Sequence, residues 1–66
     1  MKSFKEWAKK IYWVEWYDYI DDKLTEYRKA KGWKRWTEER IDKALQEIAE
    51  KEGVNAEELA REYLEQ

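Results

Sequence analysis

Asp18, Asp21 and Asp22 stand close together beside Lys23, and no other residues of this 66-residue chain come nearer in type and spacing to acid-base chemistry. Neighbouring carboxylates act as proton donor and acceptor when burial raises the pKa of one of them. At helical spacing these three fall on a solvated face instead, or supply an N-cap through Asp18 or Asp21 if a helix begins there. No nucleophile has a base beside it, and no Gly-rich phosphate loop is present. The chain has neither histidine nor cysteine. Disulfides are therefore excluded, and the usual zinc site and the commonest proton carrier near neutral pH are missing. The expectation is a non-enzyme with no catalytic residue, no metal and no cofactor.

A second constellation interleaves cations with rings: Arg28, Lys29, Lys31, Trp33, Lys34, Arg35 and Trp36. Such a combination can hold single-stranded nucleic acid, a membrane interface or a protein surface. Its plainer role is a helix C-terminus neutralised by cations, followed by a connection whose Trp rings plug the end of a bundle. The formal net charge is −2, unevenly spread. Residues 1–27 carry five cations and six carboxylates, 28–40 six and two, and 41–66 three and eight. Only the middle segment, at +4, is basic, so nucleic acid is disfavoured as a partner for the whole. No apolar run approaches the ~20 residues that span a bilayer, and Lys9 and Lys10 interrupt any secretory h-region. A soluble, non-exported chain with no membrane partner is expected.

The elements that position these residues follow from the periodicity. Ser3 with Glu6 is a capping-box pattern, and no Gly or Pro occurs before Gly32, which suits a C-terminal cap. One helix over about 4–31 is predicted. Two alternatives stand beside it: a strand over Ile11 to Ile20, rich in strand formers, or a break near Asp18 to Asp22 that lets two halves fold back. Thr37 ahead of Glu38 and Glu39 predicts a helix over about 38–52 with Ile41, Ala44, Leu45, Ile48 and Ala49 on one face, ended by Gly53. Asn55 with Glu58 predicts a last helix over about 56–65, burying Leu59, Ala60, Tyr63 and Leu64. The fold class is all-α: a small three-helix bundle with a long N-terminal helix, one domain spanning 1–66.

That long helix carries a conflict. Trp13, Trp16, Tyr17, Ile20, Leu24 and Tyr27 share one side, while Phe4, Trp7, Ile11 and Val14 point roughly 150° away at ~100° per residue. At ~1.5 Å per residue the helices measure roughly 42, 22 and 15 Å, so the later two cannot shelter both sides of the first. Phe4, Trp7, Ile11 and Val14, with Tyr12, Trp16 and Tyr19 beside them, are therefore expected to form an exposed apolar patch. Together with Trp33 and Trp36 they are the candidate partner-binding residues. The occupant would be a protein target or a second copy of the chain.

Two resemblances follow. Leu45, Ile48, Ala49, Gly53, Val54, Asn55 and Leu59 stand at the spacing of helix-turn-helix modules, and the same stretch resembles ribbon-helix-helix repressors if Trp33 to Trp36 act as the strand. Both imply DNA binding, yet Glu57, Glu58, Glu62 and Glu65 against Arg61 would repel a duplex. The idealised caps and Glu/Lys surface of the second half look like a de novo designed miniprotein, and the dense aromatics of helix one look like a designed mini-binder. The expected function is a non-catalytic helical scaffold presenting an aromatic face of helix one to a protein. The alternatives are a self-contained designed fold with no biochemical function, and a nucleic-acid-binding helix-turn-helix-like module.

Overall fold

Ser3 starts the first helix as its spacing predicts: its hydroxyl accepts from the Glu6 amide at 3.3 Å. A second acceptor comes from far along the chain, where Glu58 Oε1 takes the Phe4 amide at 3.2 Å. Two of the otherwise unpaired N-terminal amides are thereby satisfied, one locally and one by tertiary contact. The computed structural model describes residues 1–11 and 15–65. Its helices are α1 (Phe4–Ile11), α2 (Trp16–Lys31), α3 (Glu38–Glu52) and α4 (Ala56–Leu64).

The all-helical class holds, but the single helix over 4–31 does not. It is replaced by α1 and α2, and the interruption lies between Ile11 and Trp16 rather than at Asp18 to Asp22, which sit inside α2. Nor do Trp16 to Ile20 form a strand. The reason is the conflict of faces. Phe4, Trp7 and Ala8 of α1 share one buried cluster with Ile20 and Leu24 of α2, which a common straight axis forbids. Size agrees, since the molecule measures 32 × 21 × 19 Å and a rod of ~42 Å would overrun it.

The second half forms as its local signals require. The Thr37 hydroxyl accepts from the Arg40 amide at 3.2 Å, and the Asn55 side chain accepts from the Glu58 amide at 3.0 Å. Gly53 ends α3 at φ 76°, a left-handed conformation that costs an L-residue about 1 kcal/mol or more. Gly32 ends α2 in the same way at φ 72°, with its amide and that of Trp33 donating to Lys29 and Arg28 carbonyls. α3 supplies Ala44, Leu45, Ile48 and Ala49 to the core, and Val54 and Leu59 close it from the turn and α4.

The chain start is pinned to that same turn. Lys2 and Val54 form the one β-bridge among the described residues, its amide donating to Gly53 O at 2.8 Å while Lys2 O accepts from Asn55 at 2.9 Å. α1 is thus held at its N-terminal end by backbone and along its length by Phe4 and Trp7.

Trp7 is 3% exposed, and Trp7→Ala should destabilise the fold by about 3–5 kcal/mol, the usual range for an emptied aromatic site. Gly53→Ala should destabilise by about 1 kcal/mol through backbone strain alone, because a Cβ there meets nothing within 4 Å. Denaturant melts followed by far-UV circular dichroism measure both, and a near-neutral Trp7→Ala would mean that α1 contributes nothing to the core.

Candidate functional site

The nine candidate residues separate into three groups. Phe4 and Trp7, expected on the surface, are 6% and 3% exposed and lie in the core. These two therefore contribute no exposed surface to the expected patch. Ile11, Trp16 and Tyr19 are half-buried and pack against that core. Tyr12 and Val14 lie outside the described residues, as does Trp13 of the opposite stripe. Trp33 and Trp36 are half-buried in the connection between α2 and α3, and Trp36 packs against the same core.

The aromatic residues of α1 and α2 are joined ring to ring and finished with hydrogen bonds. Trp16 meets Phe4 edge to face at 4.8 Å, and Trp7 and Tyr19 lie 6.2 Å apart. Glu52 receives both of their polar ends: Trp7 Nε1 donates to its Oε1 at 3.3 Å and Tyr19 Oη to its Oε2 at 3.0 Å. Burial pushes the Tyr19 phenol above its ordinary pKa, and the Glu52 hydrogen bond adds to the shift. On the other side Tyr63 stacks on Tyr17 at 4.7 Å and donates to Asp21 at 2.6 Å. Burial first, then that hydrogen bond, raises the Tyr63 phenol. Of the three neighbouring carboxylates, Asp21 thus orients a tyrosine, and all three are exposed.

At the α2–α3 connection the backbone is held by guanidinium groups. Arg28 donates from Nη1 to Trp33 O and Arg40 from Nη1 to Arg35 O, each at 3.2 Å. The Arg40 guanidinium also lies 4.8 Å from the centre of the Trp33 ring, a cation–π distance. Trp33 and Trp36 stand 6.0 Å apart at 75°, and Tyr27 lies 5.6 Å from Trp33. The Lys31 ammonium is 5.4 Å from the Tyr27 ring centre. Tyr27 donates to Glu47, a hydrogen bond that, with burial second, pushes the Tyr27 phenol up to about 12. The same bond holds the Glu47 carboxyl below its ordinary value against the opposing effect of burial.

Sequence reasoning named Trp33 and Trp36 but missed Arg40 and the carboxylates that finish the tyrosines. Tyr27, expected in the core stripe, does pack against the core and also lies against Trp33, and Arg40 reaches Trp33 across a turn. Glu47 and Glu52 carried no signal, since a glutamate on a helix surface reads as solvated until its partner is placed. The ribbon-helix-helix requirement is not met in the lone chain: residues 33–36 are not a strand, their carbonyls serving Arg28 and Arg40 instead. Among the described residues no group of three or more His, Cys, Asp or Glu is arranged to hold a metal, and no helix is long and apolar enough to cross a membrane. Comparison with protein-family models, curated proteins and solved structures finds no match to this chain.

The Tyr27–Glu47 bond makes stability sensitive at both ends of the pH scale. The Glu47 carboxyl is depressed in the folded state, so its contribution is present above the ordinary carboxylate pKa and fades as pH falls through the folded value. The Tyr27 phenol is raised, so its contribution is complete below about 10, the free phenol value, and is lost as pH climbs toward about 12. Tyr27→Phe should therefore be less stable than wild type at neutral pH, and the gap should narrow in acid and again in strong alkali. Thermal melts across pH test this, and a gap independent of pH would show that the hydrogen bond contributes nothing.

Proposed function

We propose that this chain is a non-catalytic helical scaffold that completes its own core and offers the Trp33 to Trp36 connection, in place of helix-one residues, to a protein partner. One observation carries the reading: the partition of the aromatic residues. Phe4 and Trp7 are enclosed, whereas Trp33 and Trp36 sit on a connection, half-buried, Trp36 against the core, with Lys29, Lys31, Lys34 and Arg35 of the same segment exposed. Trp and Arg are the side chains most enriched where binding energy concentrates, and rings already fixed by neighbours lose little entropy on contact. The uniform caps at Thr37, Gly53 and Asn55 support reading the chain as a designed helical miniprotein.

A self-contained fold with no partner is the second reading, favoured by a specific observation. Among the described residues the exposed large hydrophobic side chains are Met1 at 87% and Leu64 at 54%, so burial itself demands no second molecule. Self-association through α1 loses its basis for the same reason. The nucleic-acid reading is weakened by α4, whose glutamates flank Arg61 on the helix that would meet the groove.

One measurement checks what both readings share, and a second decides between them. In either reading the melting temperature should be unchanged over a roughly hundredfold range of protein concentration, because the core is complete within one chain. Panning against a random peptide library should enrich ligands for the wild-type protein that are lost from a folded Trp33→Ala/Trp36→Ala variant. Failure to enrich any ligand supports the partnerless fold, and enrichment unaffected by the double substitution removes this surface.

A further inference from the structure

We propose that the Trp33 to Trp36 connection docks an acidic polypeptide segment carrying a large aliphatic side chain, donated by another protein, a partner chemistry that rests on the protein-binding reading above. Charge complementarity is the first argument. Residues 28–40 hold six cations against Glu38 and Glu39, while the flanking segments are −1 and −5. The basic charge is therefore local, and a short acidic segment can meet it without running over the Asp- and Glu-rich helices.

Geometry supplies the second argument. Arg28 and Arg40 are fixed on the Trp33 and Arg35 carbonyls, which sets the connection in place before any ligand arrives. Lys34 and Arg35, between the two rings in sequence, are exposed and free to turn toward carboxylates. The rings themselves meet at 6.0 Å and 75° and are half-buried, so each keeps some apolar surface that an aliphatic side chain can touch. Preformed apolar contact flanked by charge is how small interfaces concentrate affinity.

The same features argue against a polynucleotide. Base stacking needs a clear ring face, and the Arg40 guanidinium already covers one face of Trp33 at 4.8 Å, with Tyr27 close by at 55°. A long polyanion would also continue past the basic segment onto residues 41–66, where eight carboxylates face three cations and repulsion would offset the local attraction.

The test uses the intact protein and its own Trp emission. The probe is a synthetic peptide of about twelve residues repeating Glu-Glu-Leu, compared with its Gln-Gln-Leu counterpart and with oligothymidine of the same length. The acidic peptide should shift or quench the emission, bind at least about tenfold more tightly than the Gln peptide, and lose most of that advantage between ~50 mM and ~500 mM salt. Lys34→Glu/Arg35→Glu should weaken it at least about tenfold while circular dichroism and melting stay near wild type. If that variant fails to fold, Lys34→Gln/Arg35→Gln carries the same test with a smaller loss. Equal binding of the Gln peptide would overturn the acidic chemistry and leave protein binding standing. Tighter binding of oligothymidine would overturn both in favour of nucleic acid. No emission change with any probe would overturn the acidic segment alone, and the library panning then decides whether the surface binds protein.

Discussion

A helix fixes the angle between its side chains, so Phe4 and Trp7 can join the core that holds Ile20 and Leu24 only if the two pairs belong to helices with different axes. Everything else in the first half of the chain follows from that constraint. α1 stops at Ile11 and α2 begins at Trp16, and the Phe4 ring then meets the Trp16 edge at 4.8 Å. Burying a large apolar side chain is worth ~1.5–3 kcal/mol.

Rings of this size bring polar atoms with them, and the structure provides for those of Trp7, Tyr19, Tyr27 and Tyr63. Glu52, at the last turn of α3, takes the Trp7 indole and the Tyr19 hydroxyl on its two oxygens, so one carboxylate binds α1 and α2 to α3. Glu47 takes Tyr27, and Asp21 takes Tyr63. Among the described residues no buried side-chain nitrogen or oxygen lacks a partner. A small domain without disulfides can thus use amphipathic aromatic residues as core, because their tips reach carboxylates at the rim.

The same economy decides what is left for function. Phe4 and Trp7 are drawn into the interior, so their rings are not available for contact with a second molecule. The α2–α3 connection is different: Tyr27 and Arg40 of the flanking helices lie against Trp33, and neither Trp is fully buried. Its carbonyls are satisfied by Arg28 and Arg40 rather than by a neighbouring strand, and its two Trp rings remain half-buried among exposed cations. The connection is held there by side chain to backbone bonds.

By itself the sequence determined the features whose causes lie within about four residues: the caps at Ser3, Thr37 and Asn55, the left-handed glycines 32 and 53, the span of α3, the start of α4, and the apolar face from Ile41 to Ala49. Each is a contest between neighbouring groups, settled before the chain folds. The interruption before Trp16 had no such mark. Neither Gly nor Pro lies near it, and the Glu15 side chain makes no capping bond. Only the tertiary structure decided it, together with the Lys2–Val54 bridge, the Glu58 cap on Phe4 and the role of Glu52. These join residues 33 or more positions apart, and their free energy comes from burial that exists only once every helix is in place.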